Sequence, residues 1–139
     1  TQGVSSAASD VYKRQRLYDT VDVDDEQRDF LKNSVGTVEI PKDQSAYYFG
    51  VENLDFEEAV ASEPFINAIA FSVCLMRVKD GTDIDELKAE IRRSANPAKW
   101  ICVDVNPNDV RVESVGDLVL LIMADDSEKY SEAFYALAE

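Results

Sequence analysis

Histidine is absent from this 139-residue sequence. With it goes the side chain that most often serves as general base near neutral pH and most often ligates zinc. Serine-histidine and cysteine-histidine catalysis are therefore excluded. Cysteine is scarce: Cys74 and Cys102 lie too far apart for a C-x-x-C redox or zinc pair, and both sit in apolar runs, which reads as buried free thiols in preference to a disulfide. Basic side chains number 14 against 28 acidic ones, and the formal charge of -14 repels a phosphate backbone, so nucleic acid is not an expected partner. No apolar run reaches the roughly 18 residues a membrane span requires. No basic start followed by an apolar core marks an export signal.

What remains is the composition of a globular chain, with 45% hydrophobic and 30% charged residues, enough apolar surface to offset the entropy of ordering. The length suits one domain and one core. The longest apolar run, residues 66–79 (INAIAFSVCLMRVK), is apolar on both faces of an extended chain and predicts a strand buried on both sides. The turn Asp80-Gly81 follows it, and then a helix over residues 83–95. That helix is capped by Thr82 with Asp85 or by Asp83 with Glu86, has Ile84, Leu87 and Ile91 on one face, and is stopped by Asn96-Pro97. Arg92 and Arg93 in its last turn complement the carbonyl end of the dipole, a simpler role than binding an anion.

Residues 100–105 (WICVDV), 110–115 and 118–123 (LVLLIM) predict a three-strand antiparallel meander with short turns, followed by a helix over residues 127–138 with Tyr130, Phe134 and Leu137 in one stripe. Before the long run, residues 25–34 predict a helix started by Asp24 or Asp25, and residues 35–40 a short strand closed by Pro41. Asp55-Phe56-Glu57-Glu58 has the form of a capping box and predicts a short helix interrupted by Pro64. Tyr47, Tyr48 and Phe49 form a short strand or a plug over the core, with core packing preferred over a ligand platform. Asp22-x-Asp24 departs from a calcium loop at the required glycine and at the final glutamate. The apolar segments 30–40 and 47–60 are expected to cover the second face of the long strand, so that removing residues up to Val60 leaves an insoluble remainder.

The string VSSAASDVYKRQ at residues 4–15 resembles translated sequencing-adapter read-through, so residues 1–16 are read as a non-native or disordered segment and residues 17–139 as the single domain. Further along, YYFGVENLDFEEAV, VCLMRVKDGTDIDELKAEI, NPAKWICV and VESVGDLVLLIM together resemble a bacterial domain-of-unknown-function family of small secreted or lipid-anchored proteins. The resemblance covers about residues 47–137. It implies a compact domain in an extracytoplasmic setting, anchored through an N-terminal lipid attachment lost from this chain, with a cytoplasmic location as the alternative. It carries over no catalytic residue.

Paired carboxylates are the one catalytic constellation left by composition, since burial can divide acid from base. Asp125-Asp126, Glu57-Glu58 and Asp24-Asp25-Glu26 all stand where carboxylates cap helix amides, and capping is the simpler role. Asp104 is the one charge within the WICVDV strand pattern, sharing a face with Trp100 and Cys102. That face is most simply solvated; if covered, Trp100, Cys102 and Asp104 line a small ligand pocket. No catalytic residue, metal ligand or cofactor is assigned. The expected architecture is α+β: a two-layer sandwich with a mainly antiparallel four-stranded sheet, two helices on one face and an N-terminal helical segment. The favoured function is a non-enzymatic extracytoplasmic module that binds a protein or cell-envelope component. The alternatives are a small-ligand or calcium-binding carrier and a carboxylate-based hydrolase.

Overall fold

A strand enclosed by protein on both faces needs apolar side chains at every position, and residues 118–123 supply them. The computed structural model describes residues 16–65, 69–99 and 104–137. In chain order they form α1 (helical residues 16–20), α2 (Asp25–Asn33), β1 (Val35–Glu39), α3 (Ser45–Phe49), β2 (Glu58–Pro64), β3 (Ser72–Arg77), α4 (Ile84–Ser94), β4 (Val110–Val115), β5 (Leu118–Met123) and α5 (Ser127–Leu137). The strands make one five-stranded sheet in the order β1-β2-β3-β5-β4, with every neighbouring pair antiparallel. The chain is therefore α+β, with β3 at the centre of the sheet and β2 and β5 on either side of it.

Register divides the sheet into two apolar faces. Val60 lies opposite Leu75 and Leu75 opposite Leu120. These three, with Val73 and Ile122, pack against Leu17, Tyr18 and Val21 of the N-terminal segment, Leu31 of α2, and Tyr130 and Phe134 of α5. The intervening positions Ala59, Ala61, Cys74, Met76, Val119, Leu121 and Met123 face the other way, against Phe49, Phe56, and Leu87 and Ile91 of α4. Helices thus cover both faces. Gly50 closes α3 against α4: its φ is +81°, and a Cβ there would sit 2.1 Å from the Ser94 carbonyl oxygen. Only glycine permits that approach.

Local signals explain the helices. Asp24 Oδ1 accepts from the Gln27 amide at 2.8 Å and Asp83 Oδ1 from the Glu86 amide at 3.1 Å, so each N-cap binds one of the first-turn donors left without a helical partner. The α4 apolar stripe and its last-turn arginines stand as the spacing predicts. α1 and α2 cover the second face of β3 with Leu17, Tyr18 and Leu31, but the segment 47–60 expected there does not: Phe49, Val51 and Phe56 pack on the face that α4 covers, and Val60 belongs to β2.

Several expectations need correction. The sheet has five strands and not four: residues 35–39 join it as β1, and residues 58–64 form β2 and not a helix. Ala59, Val60, Ala61 and Ser62 are all buried, and alternation between two apolar faces, with partners on both sides, outweighs the local capping pattern. The long strand is shorter than residues 66–79: β3 spans Ser72–Arg77, and residues 66–68 lie outside the described ones. Tyr47, Tyr48 and Phe49 belong to a short helix. Asp104 and Val105 are not in a strand, and the Val105 amide donates to the Pro97 carbonyl at 2.8 Å; residues 100–103 of the expected strand lie outside the described ones. The two long helices lie on opposite faces, α4 on one and α5 on the other, so the layer arrangement is helix, sheet, helix. The connection through α4 accounts for this: β3 and β4 run in the same direction with β5 inserted between them, a crossover that places its helix over one face.

Candidate functional site

Three segments distant in sequence meet at one end of the sheet. The first is the turn from α1 into α2. Arg28 orders it by donating from Nη1 to the Tyr18 carbonyl at 2.8 Å and from Nη2 to the Val21 carbonyl at 2.6 Å, satisfying acceptors that the end of α1 leaves open. The second is the lead into β3 at residues 69–71, and the third is the turn from β5 into α5 at Ala124, Asp125 and Asp126. Together they border an open cleft of about 870 Å³.

The cleft has an apolar floor and an acidic rim. Val23, Phe30, Ile69, Ala70, Phe71 and Ala124 line it, with Asp22, Asp24, Glu26, Asp125 and Asp126 around them and Lys129 as the one basic group. Beneath the floor is a ring cluster. Phe71 meets Phe30 and Tyr130 edge-on, at 5.5 Å and 5.9 Å between centroids, and Tyr18 at a tilt, at 6.4 Å, distances at which aromatic pairs gain beyond their buried area. The two buried hydroxyls are used: Tyr18 donates to Ser62 Oγ at 2.6 Å, and Tyr130 accepts from Gln27 Nε2 at 3.1 Å. Burial holds the Tyr130 hydroxyl well above the ordinary phenol range, so it stays protonated.

The rim carboxylates are unevenly occupied. Asp24 is taken up by its cap, and Asp22 reaches Lys129 at 3.7 Å, an exposed pair of little energetic weight. Among the described residues Glu26 and Asp125 have no hydrogen-bond or ion-pair partner. Partial burial, joined by the charges of Asp125 and Asp24, raises the Asp126 carboxyl above its ordinary range. A carboxyl raised in the folded state contributes stability that is complete below its unfolded value and lost as pH rises through the folded value. Asp126→Asn is therefore expected to unfold at higher denaturant than the parent at pH 7, with the difference closing as pH falls through the carboxylate range. Urea titrations at pH 7 and pH 4 read it, and a difference independent of pH contradicts it.

Of the sequence-predicted pocket, Trp100 and Cys102 lie outside the described residues, and Asp104 is exposed and does not line the cleft. Asp24 with Glu26, and Asp125 with Asp126, are brought together; Glu57-Glu58 is not, and Glu58 begins β2 opposite Arg77. Arg92 and Arg93 serve structure, Arg92 donating to the Val110 carbonyl at 3.2 Å and Arg93 lying 3.8 Å from Glu86. The floor residues Phe30, Ile69 and Phe71 were not anticipated as site residues; their aromatic and aliphatic character pointed only to core. Among the described residues no group of three or more acidic or cysteine side chains is placed to hold a metal ion, and no helix is long and apolar enough to cross a membrane.

A second polar cluster lies on the opposite face of the sheet. Lys99 Nζ pairs with Glu63 Oε2, which also accepts from Ser72 Oγ at 2.7 Å. The ammonium stands 4.4 Å from the Tyr47 ring centroid and 5.1 Å from that of Tyr48. Ser72 Oγ lies 3.4 Å from the free thiol of Cys74. Burial pushes that thiol up to about 11, so it is neither ionised nor reachable at neutral pH. In a Cys102→Ser background, native protein is expected to take up no thiol reagent at pH 8 and one equivalent in urea; rapid native labelling contradicts this.

Compared with family models, with curated proteins and with solved structures, the chain matches none.

Proposed function

We propose that this chain is a non-enzymatic binding module of the bacterial cell envelope, working outside the cytoplasm, and that the cleft between the starts of α2 and α5 takes its protein or cell-envelope ligand. One observation carries the reading: the cleft joins an apolar floor resting on a rigid ring cluster to polar groups at its edge, the combination typical of a ligand site. Binding fits better than hydrolysis. Among the described residues the lining offers no hydroxyl or thiol nucleophile. Four of its five carboxylates are exposed and Asp126 alone is partly buried and raised, which leaves the carboxylate-based hydrolase as the second reading.

Ile69, at 36% exposure, permits a test that spares the core. Calorimetric titration of five-residue peptides of basic, neutral and acidic character, and of a soluble peptidoglycan fragment, is expected to find a ligand whose affinity falls at least about tenfold in Ile69→Trp, with no covalent product. Unchanged affinity in the variant, or turnover of the ligand, overturns the reading. The setting rests on the family resemblance and is tested by the coding sequence upstream of Arg16. A lipid-attachment cysteine is expected there; a native cytoplasmic start contradicts it.

A further inference from the structure

Given that the cleft is the binding site, the geometry points to the class of its occupant: an extended peptide segment of a partner protein that carries lysine or arginine beside apolar side chains. The floor accounts for the apolar half of that ligand. Ile69 is exposed and Phe30 only partly buried, so both keep apolar surface that a second molecule can cover. The cleft is open to solvent and, at about 870 Å³, has room for several side chains.

The rim accounts for the charge. Five carboxylates face one ammonium across the cleft, and helix capping explains only part of that set. Asp24 is the one that bonds an amide of its helix. Glu26 on α2 and Asp125 before α5 both line the cleft without a protein partner among the described residues. Asp22 is held, among the described residues, only by Lys129, in an exposed pair that an incoming cation can replace. The net charge of -14 adds a long-range field that draws cations and repels anions, including a second copy of this chain. An ammonium or guanidinium on an aliphatic stem places its methylene groups over apolar surface and its head among carboxylates, which matches a floor of this kind under a rim of this kind.

The experiment uses the whole chain and three blocked five-residue peptides, in which leucine alternates with lysine, with serine or with glutamate. The lysine peptide is expected to bind about tenfold or more tightly than the serine peptide at low salt, since several partly exposed charge pairs each add a small factor. That advantage is expected to vanish near ~0.5 M salt, where screening acts within a few ångströms. The double variant E26Q/D125N removes two carboxylates that have no structural bond. It is expected to weaken the lysine peptide about fivefold and leave the serine peptide unchanged. If the serine or glutamate peptide binds as well as the lysine peptide and competes for the same cleft, the cationic inference falls and the cleft stands as a site. If butylammonium binds as tightly as the lysine peptide, the occupant is a small cation and the peptide assignment falls. If no peptide of any charge and no peptidoglycan fragment binds, the inference falls together with the functional reading beneath it.

Discussion

Phe71→Ala is expected to cost about 3–5 kcal/mol of folding stability, the range for truncating a buried phenylalanine. Phe71 is 3% exposed and stands just before β3. Its ring meets three others, Tyr18 of α1, Phe30 of α2 and Tyr130 of α5, so its removal leaves a void bounded by three helices at once. Each edge-on pair adds about 0.5–1.5 kcal/mol beyond area burial, which places the loss toward the upper part of the range. Since native domains are stable by only about 5–15 kcal/mol, the change takes a large share of the total. Phe71→Leu retains most of the volume and is expected to lose much less. Urea unfolding of the three proteins provides the comparison; an alanine variant within about 1 kcal/mol of the parent contradicts the placing of Phe71 at the hub.

Lys99→Ala is expected to cost about 3 kcal/mol, the lower end of the range for removing one partner of a buried pair. The side chains of Lys99 and Glu63 are 4% and 18% exposed, so the orphaned Glu63 retains a little contact with water, and Ser72 still donates to it. The loss goes beyond the pair, because the ammonium also packs over Tyr47 and Tyr48, a contact that strengthens with desolvation. Lys99→Met with Glu63→Leu removes both charges together and is expected to recover much of the loss, since an apolar replacement of a buried pair is often close to neutral. A single-variant loss below about 1 kcal/mol, the value of a surface pair, contradicts this account of the cluster.

The three longer helices, α2, α4 and α5, were legible because their signals are local. Asp83 with its cap to Glu86, the spacing of Ile84, Leu87 and Ile91, and the stop at Asn96-Pro97 lie within one short stretch. The β4–β5 hairpin was legible for the same reason, with Gly116-Asp117 between two strand-forming runs. β2 was not. Its leading Asp55-x-x-Glu58 mimics a helix start, and only pairing with β1 on one side and β3 on the other reveals that Ala59, Val60 and Ala61 alternate between two cores. Neither could the sequence assign α4 and α5 to opposite faces, since an amphipathic stripe states that a helix covers something without saying which side of the sheet it covers. The cleft was hidden for a related reason. Asp24 and Asp125-Asp126 each read as an ordinary helix start, and nothing local shows that the two starts adjoin. In the fold Gln27 and Tyr130, separated by 103 positions in sequence, share a hydrogen bond.

The central claim, that ligand binds at the meeting of α2, the lead into β3 and the start of α5, is tested most directly by mapping backbone amide shifts as the tightest-binding member of the peptide and peptidoglycan panel is added. The account predicts that the perturbed amides gather at residues 22–30, 69–71 and 124–129, with those of Glu63, Lys99 and Asp104 unmoved. Perturbations concentrated around Lys99 and Asp104, with the cleft silent, would contradict it.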